Sequence, residues 1–180
     1  MPEVLHVLAK VNPPIRPRED VEYLWQQLLA GKVDWVVSDH ACCRHETKAA
    51  KKTFGNIWLA KSGFGGTEYL LPALVSEGMK RGLSLNRIAA LTSANPAQRF
   101  GLNSKGDIAV GLDADLALVD PNETWTVRAR DSESTQGYTP FEGLELHSKV
   151  KATFLRGALI CEDGNVLGKP RGNYLFRPTA

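Results

Sequence analysis

Apolar and polar residues alternate along the first 37 positions in blocks that predict a strand, a helix and a second strand. Residues 3–11 (EVLHVLAKV) are apolar and partly β-branched, which is typical of a strand buried on at least one face. Prolines break this pattern over 12–20. The apolar residues that follow recur at the spacing of one helical face: Val21, Leu24, Trp25, Leu28 and Leu29. The run VDWVV (33–37) predicts the second strand, and such a unit favours parallel strands joined by a right-handed crossover.

The middle of the chain is predicted to be a long loop followed by three helices. The loop covers 41–66 and ends in the glycine-rich sequence SGFGG. A loop of that length in a compact domain is usually functional or mobile. Helical spacing returns over 67–82 and again up to Gly101, a residue suited to end a helix. Three polar residues stand where these helices are expected to begin: Thr67, Ser84 and Asn95, the last followed by Pro96.

Short β-rich runs separated by Gly, Asp and Asn turns make up the remainder of the chain. Examples are KGDIAVGLDADLALVDP, TWTVRA and KVKATFLRGALICEDGNVL, which indicate a small antiparallel unit. We therefore predict an α/β domain over 1–101 and a β-rich domain over 102–180.

Composition bears on whether the protein binds nucleic acid or a membrane, and on its cellular compartment. The chain has 180 residues, of which 22 are basic and 20 acidic, with no basic block to neutralise phosphates, so nucleic acid is not expected as a partner. No apolar run approaches the ~18 residues of a membrane span, and no targeting signal is evident at the N-terminus. The three cysteines, two of them adjacent, do not form a disulfide framework. We expect a cytoplasmic protein.

Candidate chemistry concentrates after the second predicted strand. Asp39 stands at its C-terminal end, where a carboxylate can bind a metal or move a proton, or can simply cap a turn. A cluster of potential zinc ligands follows, but its spacing differs from two separated ligand pairs: His40, Cys42, Cys43 and His45. Asn12 and the sequence SGFGG could contact a ligand or could serve only as turn and connection.

The order of these segments resembles the C-terminal part of the cyclic amidohydrolases, which include dihydroorotase, allantoinase and dihydropyrimidinase (hydantoinase). The resemblance rests on KVNPPIR, DWVVSDHA, GFGGTEYLLPAL, LTSANPAQRFGL and KGDIAVGLDADLALVDP, in that order, and extends over nearly all of the chain. It implies the last βα units of an incomplete (β/α)8 TIM-type barrel, followed by part of a small β-sandwich. It also implies a small cyclic amide as the substrate.

The resemblance further implies a metal-dependent reaction, in which a hydroxide bridging two divalent metals, usually zinc, attacks a ring amide carbonyl. Asp39 matches the aspartate that binds one metal and carries the proton to the leaving nitrogen. Asn12 matches a loop that contacts the substrate ring, and Ser62 and Gly63 match a second such loop. The sequences NPPIR and FGGTE resemble dihydroorotase, whereas Cys43 stands at a position that resembles allantoinase. The alternatives to a dihydroorotase-like substrate are therefore those of allantoinase and hydantoinase.

Chain length sets the last expectation, because a complete barrel takes about 250 residues. Among the 4 histidines none forms the His-x-His pair that the family uses as metal ligands. We therefore expect the isolated chain to be inactive and to associate with a missing N-terminal part or with copies of itself. Two other functions stay open at this point: a non-catalytic assembly module, and an independent metal-binding domain that uses residues 40–45.

Overall fold

Short helices dominate the chain up to residue 100 in the computed structural model, which describes residues 7–53 and 56–176. The α-helices are α1 (Arg18–Leu29), α2 (His45–Lys48), α3 (Leu70–Lys80), α4 (Leu85–Ala89) and α5 (Asn95–Phe100). Single 3₁₀ turns lie at Lys51–Thr53, Ile57–Leu59 and Thr67–Tyr69, and a π-helical turn lies at Ala90–Ala94. The mixed α/β class predicted from sequence is confirmed. No described helix is long and apolar enough to cross a membrane.

Helix α1 confirms the first predicted helix but keeps much of its apolar face in solvent. Leu28 is its buried residue, whereas four large apolar side chains are exposed: Val21, Tyr23, Leu24 and Leu29. Most helical stability in proteins comes from packing of the apolar face rather than from intrinsic propensity.

The two predicted parallel strands are wrong for the described residues. Val7 and Leu8 are helical, residues 3–6 lie outside the described part, and 33–37 belong to no strand. A strand exists only when a neighbour satisfies its backbone N–H and C=O groups. The Val36 N–H instead donates to the Leu91 carbonyl at 3.1 Å. The apolar run at 33–37 therefore predicted a strand that has no neighbouring strand to pair with.

Helices α3 to α5 confirm the predicted helical region and correct two of its caps. Ser84 caps α4 as expected, because its hydroxyl accepts the Arg87 N–H at 3.2 Å. Thr67 caps no helix, since Gly66 precedes the 3₁₀ turn without a side-chain bond. Asn95 is no cap either, because the π-helical turn runs directly into α5. Its side chain instead donates to the Asp34 carbonyl at 2.7 Å.

Antiparallel strands follow residue 115, as the turn-rich pattern predicted. Strands β1 (Leu116–Asp120), β4 (Lys149–Leu155), β5 (Ala158–Glu162) and β6 (Asn165–Val166) form one sheet in that order. Register shifts interrupt the β1–β4 and β4–β5 ladders. Strands β2 (Trp125–Thr126) and β3 (Glu145–Leu146) form a second, two-stranded sheet.

The chain forms two compact units, each built from separate segments. The first unit comprises Met1–Ala30, Ser38–Leu70 and Thr126–Glu145, and the second comprises Gly31–Val37, Leu71–Trp125 and Leu146–Ala180. Buried residues of the first unit include Val7, Leu28, Tyr69, Val127 and Tyr138. Those of the second unit include Leu74, Val75, Ile88, Leu91 and Ala152. The division into domains at residue 102 stays a prediction.

Candidate functional site

Two loops far apart in sequence meet in the first unit and bring three of the predicted site residues together. The Asn12 side-chain amide donates to the Ser62 hydroxyl at 3.0 Å, across 50 residues of sequence. One residue further on, the Gly63 N–H donates to the Lys10 carbonyl at 3.0 Å. Asn12 and Ser62 are exposed, so their polar groups are accessible to a ligand.

Gly63 is required by its conformation and by its surroundings. Its φ of +97° lies in the region that favours glycine. A Cβ at this position would lie 2.5 Å from the Ala41 carbonyl oxygen and 2.7 Å from the Ala41 Cβ. The Ala41 N–H also donates to the Phe64 carbonyl at 3.2 Å. The glycine-rich loop and the loop that follows Asp39 are therefore in direct contact.

Asp39 is exposed and lies two residues before Ala41. Its carboxylate forms no hydrogen bond or ion pair with any described residue. The Asp39 φ of +46° lies in the left-handed region, which aspartate adopts more readily than most residues with a side chain. The chain on both sides is fixed: the Ser38 and Thr67 hydroxyls lie 3.2 Å apart, and Ala41 is bonded to Phe64. The surroundings thus fix the backbone on both sides of Asp39 and leave its carboxylate accessible.

His40 has a structural role at the start of the following 3₁₀ turn. Its Nδ1 atom accepts the N–H groups of Gly66 at 3.2 Å and Thr67 at 3.3 Å. An acceptor nitrogen carries no proton, so the ring proton lies on Nε2. Among the residues that the structure describes, no three His, Cys, Asp or Glu side chains are placed to hold one metal ion. The independent zinc site at residues 40–45 is therefore not supported.

Gln136 is a site residue that the sequence analysis missed. Its side-chain oxygen accepts the buried Gly65 N–H at 2.7 Å, and its backbone carbonyl accepts the His45 N–H at 2.9 Å. The residue is only 3% exposed. Gln136 thus fastens the glycine-rich loop to the start of α2. A glutamine between short turns carries no signal that would have identified this contact.

Lys48 is a second missed residue, and its side chain is fully buried. Its ammonium donates to the Lys10 carbonyl at 2.9 Å and, through a short contact, to the Gly63 carbonyl. It also lies 5.5 Å from the ring centres of Phe64 and Tyr138. Burial lowers the pKa of Lys48, and the electrostatic effect of Cys43 partly opposes this lowering while that of Lys10 reinforces it. In the sequence KAAKK this lysine is indistinguishable from exposed ones.

We expect the lowered pKa of Lys48 to make stability depend on pH. Between that pKa and the ordinary value of 10.5 the unfolded chain holds a proton that the folded chain has lost, so stability rises with pH. The titratable groups facing the ammonium are Lys10, Cys43 and Tyr138. Urea unfolding measures the free energy of unfolding of the wild-type chain and of Lys48→Met. The difference between the two should shift in favour of the wild type as pH approaches 10.5. A constant difference would contradict the prediction.

Comparison with known proteins identifies the chain's family. The sequence profile of the Amidohydrolase family matches residues 13–160, which is most of the chain. The chain belongs to the amidohydrolase family. The resemblance to cyclic amidohydrolases predicted from the order of its motifs is thereby confirmed.

Relatives within the amidohydrolases are considerably longer than this chain. The chain is 45% identical to the allantoinase of Rubrobacter xylanophilus over 168 residues, which are 93% of this chain and 36% of that enzyme. It is 41% identical to the allantoinase of Deinococcus radiodurans, covering 94% of this chain and 36% of that enzyme. The L-hydantoinase (dihydropyrimidinase) of Arthrobacter aurescens superposes with a TM-score of 0.84 at 33% identity, covering 93% and 38%. The chain thus spans little more than a third of these relatives.

The described residues do not provide enough ligands for the divalent metal that amidohydrolases usually use. Asp39 offers one exposed carboxylate, and catalytic zinc sites draw on about three protein ligands. His40 commits its Nδ1 atom to two backbone amides. The described residues of this chain therefore do not form a metal centre by themselves.

Proposed function

We propose that the chain supplies part of the active site of an enzyme that opens a cyclic amide by hydrolysing a ring C–N bond. The observation that carries this proposal is the convergence of the two candidate substrate loops, joined by the Asn12–Ser62 hydrogen bond. The Ala41–Phe64 hydrogen bond brings the loop after Asp39 to the same place. Membership of the amidohydrolase family and the allantoinase and hydantoinase relatives support the reaction class.

Each residue has a role that its chemistry allows. The Asp39 carboxylate accepts a proton from the attacking water and returns it to the leaving nitrogen, as a general base and then a general acid. It is also the group that would contribute to a divalent metal, with the other ligands coming from outside this chain. Asn12 and Ser62 provide an amide and a hydroxyl for the polar edge of the ring, and Gly63 allows close approach of the backbone.

The substrate we propose is allantoin or a hydantoin rather than dihydroorotate. Two relatives at 45% and 41% identity are allantoinases, and hydantoinases superpose over more than nine-tenths of the chain. The dihydroorotase-like expectation from NPPIR and FGGTE is not supported by these relatives. Cys43, which suggested allantoinase from sequence, agrees with them.

The rest of the active site must come from another segment or another chain. Helix α1 leaves Val21, Tyr23, Leu24 and Leu29 in solvent, an apolar surface of the kind that marks a protein contact. We propose the part of the amidohydrolase that this chain lacks as its partner, with self-association as the alternative.

The isolated chain is expected to be inactive because Asp39 alone cannot assemble a metal centre. Purified chain supplied with zinc should not hydrolyse allantoin, hydantoin or dihydroorotate above the uncatalysed rate. Ring opening by the isolated chain that is lost on chelation would contradict this prediction.

A chimeric enzyme tests the proposed function directly. In it, this chain replaces the segment of the Rubrobacter xylanophilus allantoinase that matches it over 168 residues. Allantoin hydrolysis by the chimeric enzyme is expected, because the donor enzyme would provide the missing ligands. A folded, zinc-loaded chimeric enzyme that opens none of the three rings would overturn the proposal.

A further inference from the structure

Lys48 is a buried cation that pairs with no carboxylate of the described residues. Its side chain has no exposed surface. An uncompensated ammonium in a protein interior is strongly disfavoured, and one kept there has hydrogen bonds that offset the lost hydration.

Both acceptors of the Lys48 ammonium belong to the candidate substrate loops. The Lys10 carbonyl lies two residues before Asn12, and the Gly63 carbonyl lies directly after Ser62. The Gly63 N–H donates to the same Lys10 carbonyl. The Lys48 ammonium therefore bonds to both residues of this backbone contact, Lys10 and Gly63. Hydrogen bonds to a charged donor are about twice as strong as neutral ones. Lys48 thus joins the two loops from below their exposed surface.

Two aromatic rings keep the ammonium centred between the loops. Phe64 belongs to the glycine-rich loop, and Tyr138 comes from the separate segment 126–145. Cation–π attraction strengthens when the cation is desolvated, as it is here. Tyr138 also directs its hydroxyl to the Gly63 carbonyl at 3.5 Å. The same carbonyl is therefore approached by two donors, which restricts the position of Ser62 next to it.

We propose that Lys48 is a positioning residue for substrate binding, whose buried ammonium fixes the spacing between Asn12 and the Ser62–Gly63 pair. The inference rests on the proposed function, in which these residues contact the ring. Lys48 itself touches no substrate. Without its ammonium, each loop retains its own turns but the two lose their common anchor.

Hydrogen exchange in the 180-residue chain tests the anchoring without any need for activity. In Lys48→Met, which keeps the length and apolar stem of the side chain, the Gly63 amide should exchange about tenfold faster or more. Amides of α3 and β4 should be unchanged. Lys51→Met, which removes an exposed lysine three residues away, is the matched control and should change neither group.

A milder variant protects the test against misfolding. If Lys48→Met does not fold, Phe64→Leu serves instead, because it removes one of the two aromatic rings and keeps the ammonium. Hydrogen exchange should then accelerate less, and only in the amides of the same loop. Acceleration spread evenly over all amides, in either variant, would show a role in overall stability only and would overturn the proposal.

Kinetics in the chimeric enzyme provide the functional readout. Loss of a group that positions bound substrate should raise KM about tenfold while kcat changes less than about threefold. Unchanged KM in Lys48→Met would overturn the positioning role. An inactive chimeric enzyme with Lys48 intact would instead count against the proposed function, while the exchange experiment would still report on the anchor.

Discussion

Replacing Asp39 with asparagine is expected to lower kcat of the chimeric enzyme by about a thousandfold or more. Asparagine preserves the shape of the side chain but can neither accept a proton at neutral pH nor contribute a negative charge to a metal. Because the Asp39 carboxylate bonds to no described residue, the substitution should leave folding intact. Steady-state allantoin hydrolysis measures the effect, with size-exclusion chromatography and zinc content determined on the same samples.

The matched control for this change is Glu46→Gln. It replaces another exposed carboxylate with an amide, seven residues further along the same stretch. Its kcat should stay within about twofold of the parent chimeric enzyme, as is usual for surface substitutions. Full activity of Asp39→Asn, or equal losses in both variants, would remove Asp39 from the proposed mechanism.

Replacing Gly63 with alanine is expected to destabilise the chain by about 2–5 kcal/mol. The new Cβ would be forced to within 2.5 Å of the Ala41 carbonyl oxygen, at a φ of +97° that alanine disfavours. Relief of this overlap must move the glycine-rich loop away from Ala41 and thereby disturb the Asn12–Ser62 hydrogen bond. Urea unfolding of the 180-residue chain provides the measurement.

Gly137→Ala separates the two sources of this cost. Gly137 also has a positive φ, +73°, but a Cβ there would meet nothing within 4 Å. Its substitution should cost only the backbone strain, about 1–2 kcal/mol. If Gly63→Ala is no more destabilising than Gly137→Ala, the tight contact between Gly63 and Ala41 does not exist in solution.

Local periodicity was the reliable part of the sequence prediction. Helix α1 and the Ser84 cap were predicted correctly because both depend on residues within one or two turns of each other. The strand at 33–37 failed because apolar composition says nothing about whether a neighbouring strand is present. Likewise, Asn95 has the composition of a cap, but the π-helical turn before it leaves no helix start for it to cap.

Only those site residues that lie within recognisable sequence motifs could be predicted. Resemblance identified four site residues: Asn12, Asp39, Ser62 and Gly63. The contact that unites three of them joins positions about 50 residues apart and has no signature in the sequence. Lys48 escaped notice because lysine is almost always exposed, and nothing in its neighbours signals burial. Long-range partners of this kind are invisible to patterns that span only a few positions.

The hydrogen bond from the glycine-rich loop to Gln136 can form only late in protein synthesis. The Gln136 side chain accepts the Gly65 N–H across 71 residues of sequence, so the loop leaves the ribosome well before its partner is made. At about 5–20 residues per second, the interval is on the order of 4–14 seconds. Tyr138, which faces Lys48, arrives at nearly the same moment. A nascent chain halted before Gln136 would contain Asn12, Asp39, Ser62 and Gly63 but would lack the partner of the Gly65 N–H, so this hydrogen bond can form only after residue 136 has been synthesised.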